Sequence, residues 1–189
     1  MEETLQILLV DDDAVDRMAV KRALTKGGVR TEVVEADSCE VAIAQLQSHP
    51  FDCIFLDYYL PDGDALILIN RVRQAGITVP MIVLTGQGDE QIAVDLMKAG
   101  VYDYFAKAKL APEPLSRSLH NAVRIHRAEV QAAEATRRLQ ESEERYRLVL
   151  EGSNDGIWDW YICHNQVFCN DRLFEIIGIS REELGTAYD

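Results

Sequence analysis

The chain has 189 residues, of which 48% are hydrophobic, 27% charged and 7% aromatic, an ordinary globular composition with room for one or two domains. With 19 Lys and Arg against 32 Asp and Glu, the formal charge of −13 argues against direct nucleic-acid binding, since phosphate contacts need a basic footprint. No apolar run approaches the ~20 residues of a membrane span, the start at Met1-Glu2-Glu3 has no basic leader, and Cys39, Cys53, Cys163 and Cys169 form no CxxC pair, so we expect free thiols in a cytoplasmic chain.

In chain order, strands are predicted over residues 5–10, 31–36, 52–57, 80–85 and about 101–106. The first, third and fourth are nearly apolar throughout, as central strands of a parallel sheet covered on both faces should be. Amphipathic helical patterns lie between them near 14–26, 38–48, 64–74 and 89–99, with stops at Gly27-Gly28, Gly76 and Gly100. Asp37 with Glu40 is the expected cap of the second helix. This alternation argues an open α/β sheet, whose ligands sit outside the carboxyl ends of the strands.

From about 113 to 151 the chain is nearly free of Gly and Pro, which predicts one long helix. Ile125, Ala132, Leu139 and Tyr146 recur every seven residues, and Ala128, Ala135, Ser142 and Val149 fill the matching second positions. The pattern is that of a single amphipathic helix on a domain or of a two-stranded coiled coil. Its length favours the coil, hence a homodimer through residues 125–149. Beyond it, 157–162 and 166–169 read as strands joined by Cys163-His164-Asn165, and Ser180 with Glu183 has capping-box spacing for a short helix. Trp158 and Trp160 alternate along the first of these strands, one inward and one outward. Too few residues remain for an independent core, so we expect a domain that continues past Asp189. Cys163, His164 and Cys169 make no four-ligand metal set.

The chemistry gathers at the strand ends. Asp11, Asp12 and Asp13 follow the first strand, Asp57 ends the third, Thr85 ends the fourth and Lys107 follows the fifth. If the strands are parallel, these positions share one carboxyl edge. Three carboxylates ~5 Å apart repel by about 3 kcal/mol per pair at an effective dielectric near 20. A cation relieves such a cluster, and an all-oxygen set with open positions suits Mg²⁺. Gly86-Gln87-Gly88 lacks the third glycine of a dinucleotide loop, since Gln91 stands there.

These residues carry a specific likeness. Ile7-Leu-Leu-Val-Asp-Asp12, Leu56-Asp-Tyr-Tyr-Leu-Pro-Asp-Gly63, Val83-Leu-Thr-Gly-Gln-Gly88 and Ala99-Gly-Val-Tyr-Asp-Tyr-Phe-Ala-Lys107 resemble the receiver domain of two-component response regulators, over about residues 4–122. The resemblance implies an α/β fold, the (βα)₅ doubly wound, flavodoxin-like parallel sheet with strand order 2-1-3-4-5. It implies that Asp57 accepts a phosphoryl group from a histidine kinase or histidine phosphotransfer protein. Asp12, Asp57 and the backbone carbonyl of Tyr59 would hold Mg²⁺, with Asp11 acting through a bound water. Lys107 and the metal would neutralise charge on the transferring group, and Thr85 would donate its hydroxyl to a phosphoryl oxygen. Tyr104 matches the family's aromatic switch, or is simply a strand aromatic packed on the fifth helix. The face of the fourth helix, fifth strand and fifth helix would carry the signal outward.

Two departures from the family pattern stand out. Ala108 replaces the proline that usually follows the lysine with a cis bond, so either the loop keeps a cis non-proline bond at a cost of ~3 kcal/mol, or Lys107 approaches differently, or Lys109 substitutes for it. Asp13 is an extra acid, expected to cap the first helix or sit at the pocket rim. Leu139–Arg147, Asn154–Trp160, Asn170–Arg172 and Ile177–Leu184 resemble the entry into a PAS domain. The expected organisation is thus a receiver at 1–122, a coiled-coil signalling helix at 123–150 and the N-terminal part of an α+β PAS domain at 151–189. The alternatives are an unphosphorylated dimerising scaffold, or the regulatory N-terminus of a histidine kinase or diguanylate cyclase whose catalytic domain lies elsewhere.

Overall fold

Three strands apolar along nearly their whole length belong in the middle of a sheet, and there they lie. β1 (Leu5–Val10), β3 (Cys53–Asp57) and β6 (Met81–Thr85) are flanked by the half-exposed β2 (Thr31–Ala36) and β7 (Asp103–Ala106), in the parallel order β2-β1-β3-β6-β7. Counting these five strands alone, the order is the expected 2-1-3-4-5. The structure is a computed structural model that describes residues 3–86, 90–152, 155–164 and 166–179. The chain divides into two units, Met1–Val130 and Gln131–Asp189.

In the first unit the sheet's pleat sorts the core into two layers. Leu8, Val10, Ile54, Leu56, Met81 and Val83 pack with α2 (Cys39–Ser48) and α3 (Ala65–Gln74), where Ala42, Leu46, Leu68, Ile69 and Val72 are buried. Leu5, Ile7, Leu9, Phe55, Ile82 and Leu84 face the other way, onto Val20 and Leu24 of α1 (Ala14–Lys26) and Leu115 and Leu119 of α5 (Pro112–Gly152). This period-two division of residues adjacent in sequence is why the three central strands had to be apolar on both faces. α4 (Glu90–Lys98) contributes Leu96 to the first layer.

Helix ends follow the local chemistry with one correction. Asp13 caps α1, its Oδ1 accepting from Val15 N at 2.7 Å. The Asp37–Glu40 box expected on α2 does not form. Ser38 is the cap residue, and Asp62, distant in sequence, accepts from Cys39 N and Glu40 N at 2.8 and 3.0 Å. The loop that carries Asp62 folds back as a two-residue hairpin, β4 (Tyr59–Leu60) with β5 (Gly63–Asp64), which the sequence pattern did not announce. At Gly27 the chain of α1 meets the start of α5 so closely that a Cβ there would lie 2.8 Å from Ser116 Cβ and 2.9 Å from the Pro112 carbonyl oxygen.

The second unit contains the remainder of α5 and an antiparallel hairpin, β8 (Trp158–Tyr161) with β9 (Gln166–Cys169). After it comes α6 (Asp171–Ile177), capped by Asn170 and stopped by Gly178 at φ 76°. Trp158 and Trp160 are both exposed, against the expectation that one would turn inward. Among the described residues of this unit none is buried: β8 is exposed throughout, and β9 alternates exposed and half-buried positions. The Ser180–Glu183 capping box lies outside the described residues. All four cysteines are free thiols.

Candidate functional site

The register of the sheet assembles the site. Val10 pairs with Leu56, Asp57 with Leu84, and Thr85 with Ala106. The residues that follow each strand therefore emerge side by side: Asp11 and Asp12 after β1, Asp57 at the last position of β3, Thr85 at the last of β6, and Lys107 after β7.

Asp11 is fully buried, Asp57 and Thr85 nearly so, and Asp12 is exposed. One carboxylate oxygen from each of Asp11, Asp12 and Asp57 lies within 4.8 Å of the others. Oxygens bound directly to one Mg²⁺ lie at most ~4.2 Å apart, so a cluster of this spread suits one small cation reached by two carboxylates directly and by the third through a water. Asp11 Oδ1 accepts from the Asp13 amide at 2.9 Å, and Arg17 donates to the Asp11 backbone carbonyl at 2.5 Å, so one bond holds the side chain and the other the main chain. Its Oδ2 is buried without a hydrogen-bond partner, although the Lys107 ammonium is 2.8 Å away. A buried carboxylate oxygen in that condition is what a divalent cation would satisfy. The donor set fits Mg²⁺.

Asp57 Oδ1 accepts from the Tyr58 amide at 2.9 Å and stands 3.0 Å from Lys107 Nζ. Burial pushes the Asp57 carboxyl above its ordinary range, Lys107 pulls it back, and the neighbouring Asp11 charge adds to the rise. Burial alone would lower the Lys107 ammonium, but Asp11, Asp16 and Asp57 outweigh it and hold the lysine charged well above its usual range.

Lys107 reaches the acids without a cis peptide, since none occurs among the described residues. It opens a short 3₁₀ turn, Lys107–Lys109, in which Leu110 N bonds back to the Lys107 carbonyl at 3.2 Å. This short turn, with Ala108 and no proline in it, carries the side chain to the acids. Lys109 is exposed and plays no part in the cluster. Tyr104 stands on the edge strand β7 with its ring partly exposed. Tyr59 lies in β4, two residues past Asp57, with its side chain in solvent. Gln87 and Gly88 lie outside the described residues.

Sequence reasoning missed Asp16. Its Oδ2 is 2.7 Å from Lys107 Nζ, making it a third acid on the lysine. The available signal was its place in the first turn of α1, three residues after the capping Asp13, on the helix end that faces the pocket.

Comparison with known proteins agrees with this geometry. The response regulator receiver domain profile matches residues 7–120. The chain is 29% identical over 122 residues to the C4-dicarboxylate transport transcriptional regulatory protein DctD of Pseudomonas aeruginosa, covering 65% of this chain but 26% of DctD. It is 28% identical over 102 residues to the chemotaxis protein CheY of Bacillus subtilis, covering 54% of this chain and 84% of CheY. The CheY-like receiver domain protein from Methanospirillum hungatei superposes with a TM-score of 0.58 at 23% identity, over 67% of this chain and 99% of that one. The chain thus spans about a quarter of DctD and most of CheY. Receiver domains are signalling modules that bind Mg²⁺ in an acidic pocket, and Asp11, Asp12 and Asp57 make up an acidic cluster here. Over residues 7–120 this chain belongs to the response regulator receiver domain family, the phosphoacceptor modules of two-component signalling.

Proposed function

We propose that Asp57 is the residue that takes up the phosphoryl group, with Mg²⁺ held by Asp12, Asp57 and the Tyr59 carbonyl, and Asp11 acting through water. One observation carries the reading: a carboxylate at the end of a central strand shares a pocket with two further acids, with oxygens within 4.8 Å, and with a lysine 3.0 Å away. An Asp57 oxygen attacks phosphorus in line, and the bond from phosphorus to the donor's histidine nitrogen breaks as the acyl phosphate forms. When bound, Mg²⁺ supplies charge neutralisation on the phosphoryl oxygens. Lys107 supplies the other positive charge, and Thr85, buried at the end of β6, donates its hydroxyl to the new phosphoryl group. Tyr104 responds to Thr85 and alters the face of α4, β7 and α5.

The donor is a histidine kinase or histidine phosphotransfer protein, and the helix at 123–150 couples the receiver to a PAS segment at 151–189. The exposed seam of Ile125, Leu139, Tyr146 and Val149 supports pairing of this helix with a second copy. Acetyl phosphate with Mg²⁺, followed by intact-mass measurement, tests the central reading. The wild type is expected to gain one phosphoryl mass, and Asp57→Asn none while keeping its fold. Labelling that persists in Asp57→Asn would move the site elsewhere.

A further inference from the structure

We propose that Asp16 is a positioning residue for Lys107: it holds the ammonium at the pocket when a divalent ion claims the other acids. The inference rests on the reading of the acidic pocket given above and concerns a residue outside the metal-ligand trio.

Three carboxylates surround Lys107 Nζ, Asp16 at 2.7 Å, Asp11 at 2.8 Å and Asp57 at 3.0 Å. They are not equivalent. Only the Asp16 contact has hydrogen-bond geometry among the described residues, and Asp11 Oδ2 is left without a hydrogen bond despite its proximity. Asp11 and Asp57 also belong to the trio whose oxygens could bind a metal, whereas Asp16 stands outside it. A divalent ion and an ammonium repel each other, so an ion held by Asp12 and Asp57, with Asp11 turned to its bound water, draws two of the lysine's three partners away. Asp16 is the partner that remains.

The need for such a tether follows from the loop. Lys107 is followed by Ala108 in a 3₁₀ turn, so no proline ring stiffens its backbone. The lysine side chain is a flexible four-carbon stem with a strongly hydrated end. Once released by Asp11 and Asp57, an untethered ammonium would swing into water. Asp16 comes from a different element, the first turn of α1, which is anchored by the Asp13 cap and by Arg17 on the Asp11 carbonyl. It therefore offers a fixed point. Held there, the ammonium stays within reach of the phosphoryl oxygens on Asp57.

The full chain labelled with ¹⁵N-lysine tests this directly. The Lys107 ammonium resonance, assigned by its loss in Lys107→Met, is expected to stay protected at saturating Mg²⁺ in the wild type and in Asp16→Glu. It should be lost in Asp16→Asn. A protected signal in Asp16→Asn overturns the proposal. In parallel, acetyl phosphate labelling at saturating Mg²⁺ should slow roughly three- to tenfold in Asp16→Asn, the scale of one charge-assisted hydrogen bond partly screened by water. It should recover in Asp16→Glu and show no Asp16→Asn effect in a Lys107→Met background. An effect of equal size in that background would mean that Asp16 acts through the helix end and not through the lysine, and would overturn the proposal. If the wild type takes up no phosphoryl mass at all, the assignment of Asp57 fails, and the ammonium resonance still decides the role of Asp16.

Discussion

Asp57 is the point where burial and charge oppose each other most directly. A carboxylate at the end of a buried strand is poorly solvated, and Lys107 offsets only part of that penalty, so its proton affinity stays raised. Asp62 shows the opposite balance. Slight burial works to raise its carboxyl, and the Cys39 and Glu40 amides that it accepts from outweigh this and hold it below its ordinary value. A depressed folded pKa means stability that is present above the unfolded value and lost as pH falls through the folded one. Asp62→Ala is therefore expected to destabilise the protein by about 1 kcal/mol at neutral pH, the usual worth of a helix cap. The difference from wild type should close as pH falls below the ordinary carboxyl value of 3.8. Urea unfolding of both proteins at pH 7 and near pH 3 measures it. Asp57, Thr85 and Lys107 were legible as residues in the sequence because each stands at a strand end. Asp62 as a cap and Asp16 as a lysine partner were not, because the groups they bind lie 23 and 91 residues away.

At the scale of elements, periodicity sufficed. The central strands had to be apolar on both faces, and α1 and α3 begin and end within a residue of the positions their caps and glycines predict. The long helix was legible too, as a stretch without breakers, but not the point where its burial stops. Leu115, Leu119, Ala122 and Val123 are buried, whereas Ile125 and the heptad positions after it are exposed. In the first unit, α1 and α5 approach closely at Gly27. Its φ of −75° is ordinary, so the glycine is required by the approach of α5 and not by backbone conformation. Gly27→Ala is expected to destabilise by roughly 1–3 kcal/mol through overpacking against Ser116 and the Pro112 carbonyl. A lower urea midpoint at an unchanged m-value would show it.

For the whole molecule the decisive fact is that both core layers lie between Leu5 and Val123. Arg127 then ties α5 to Glu3 and Asp52 at 2.6 Å each. Everything the first unit buries is thus supplied before Val130. A chain ending there is expected to keep the thermal midpoint of the first unit within about 3 °C, the shift that ~1 kcal/mol produces in a domain of this size. It should sediment as a monomer, whereas the full chain is expected to associate through its exposed seam. Loss of cooperative melting in the short chain would show that the second unit supports the first. Equal sedimentation of the two chains would count against pairing through the helix.

The sequence by itself determined the alternation of strands and helices, the sheet order that its motifs imply, and the strand-end placement of Asp11, Asp12, Asp57, Thr85 and Lys107. Those features depend on local periodicity and on residue types that neighbours in sequence share. Only the tertiary structure decided that a 3₁₀ turn delivers Lys107, that Asp16 joins it, that Asp62 caps α2, and that Trp158 and Trp160 both meet solvent. Such pairings depend on which distant backbones are brought within ~3 Å, a matter of chain closure and packing on which no local pattern reports.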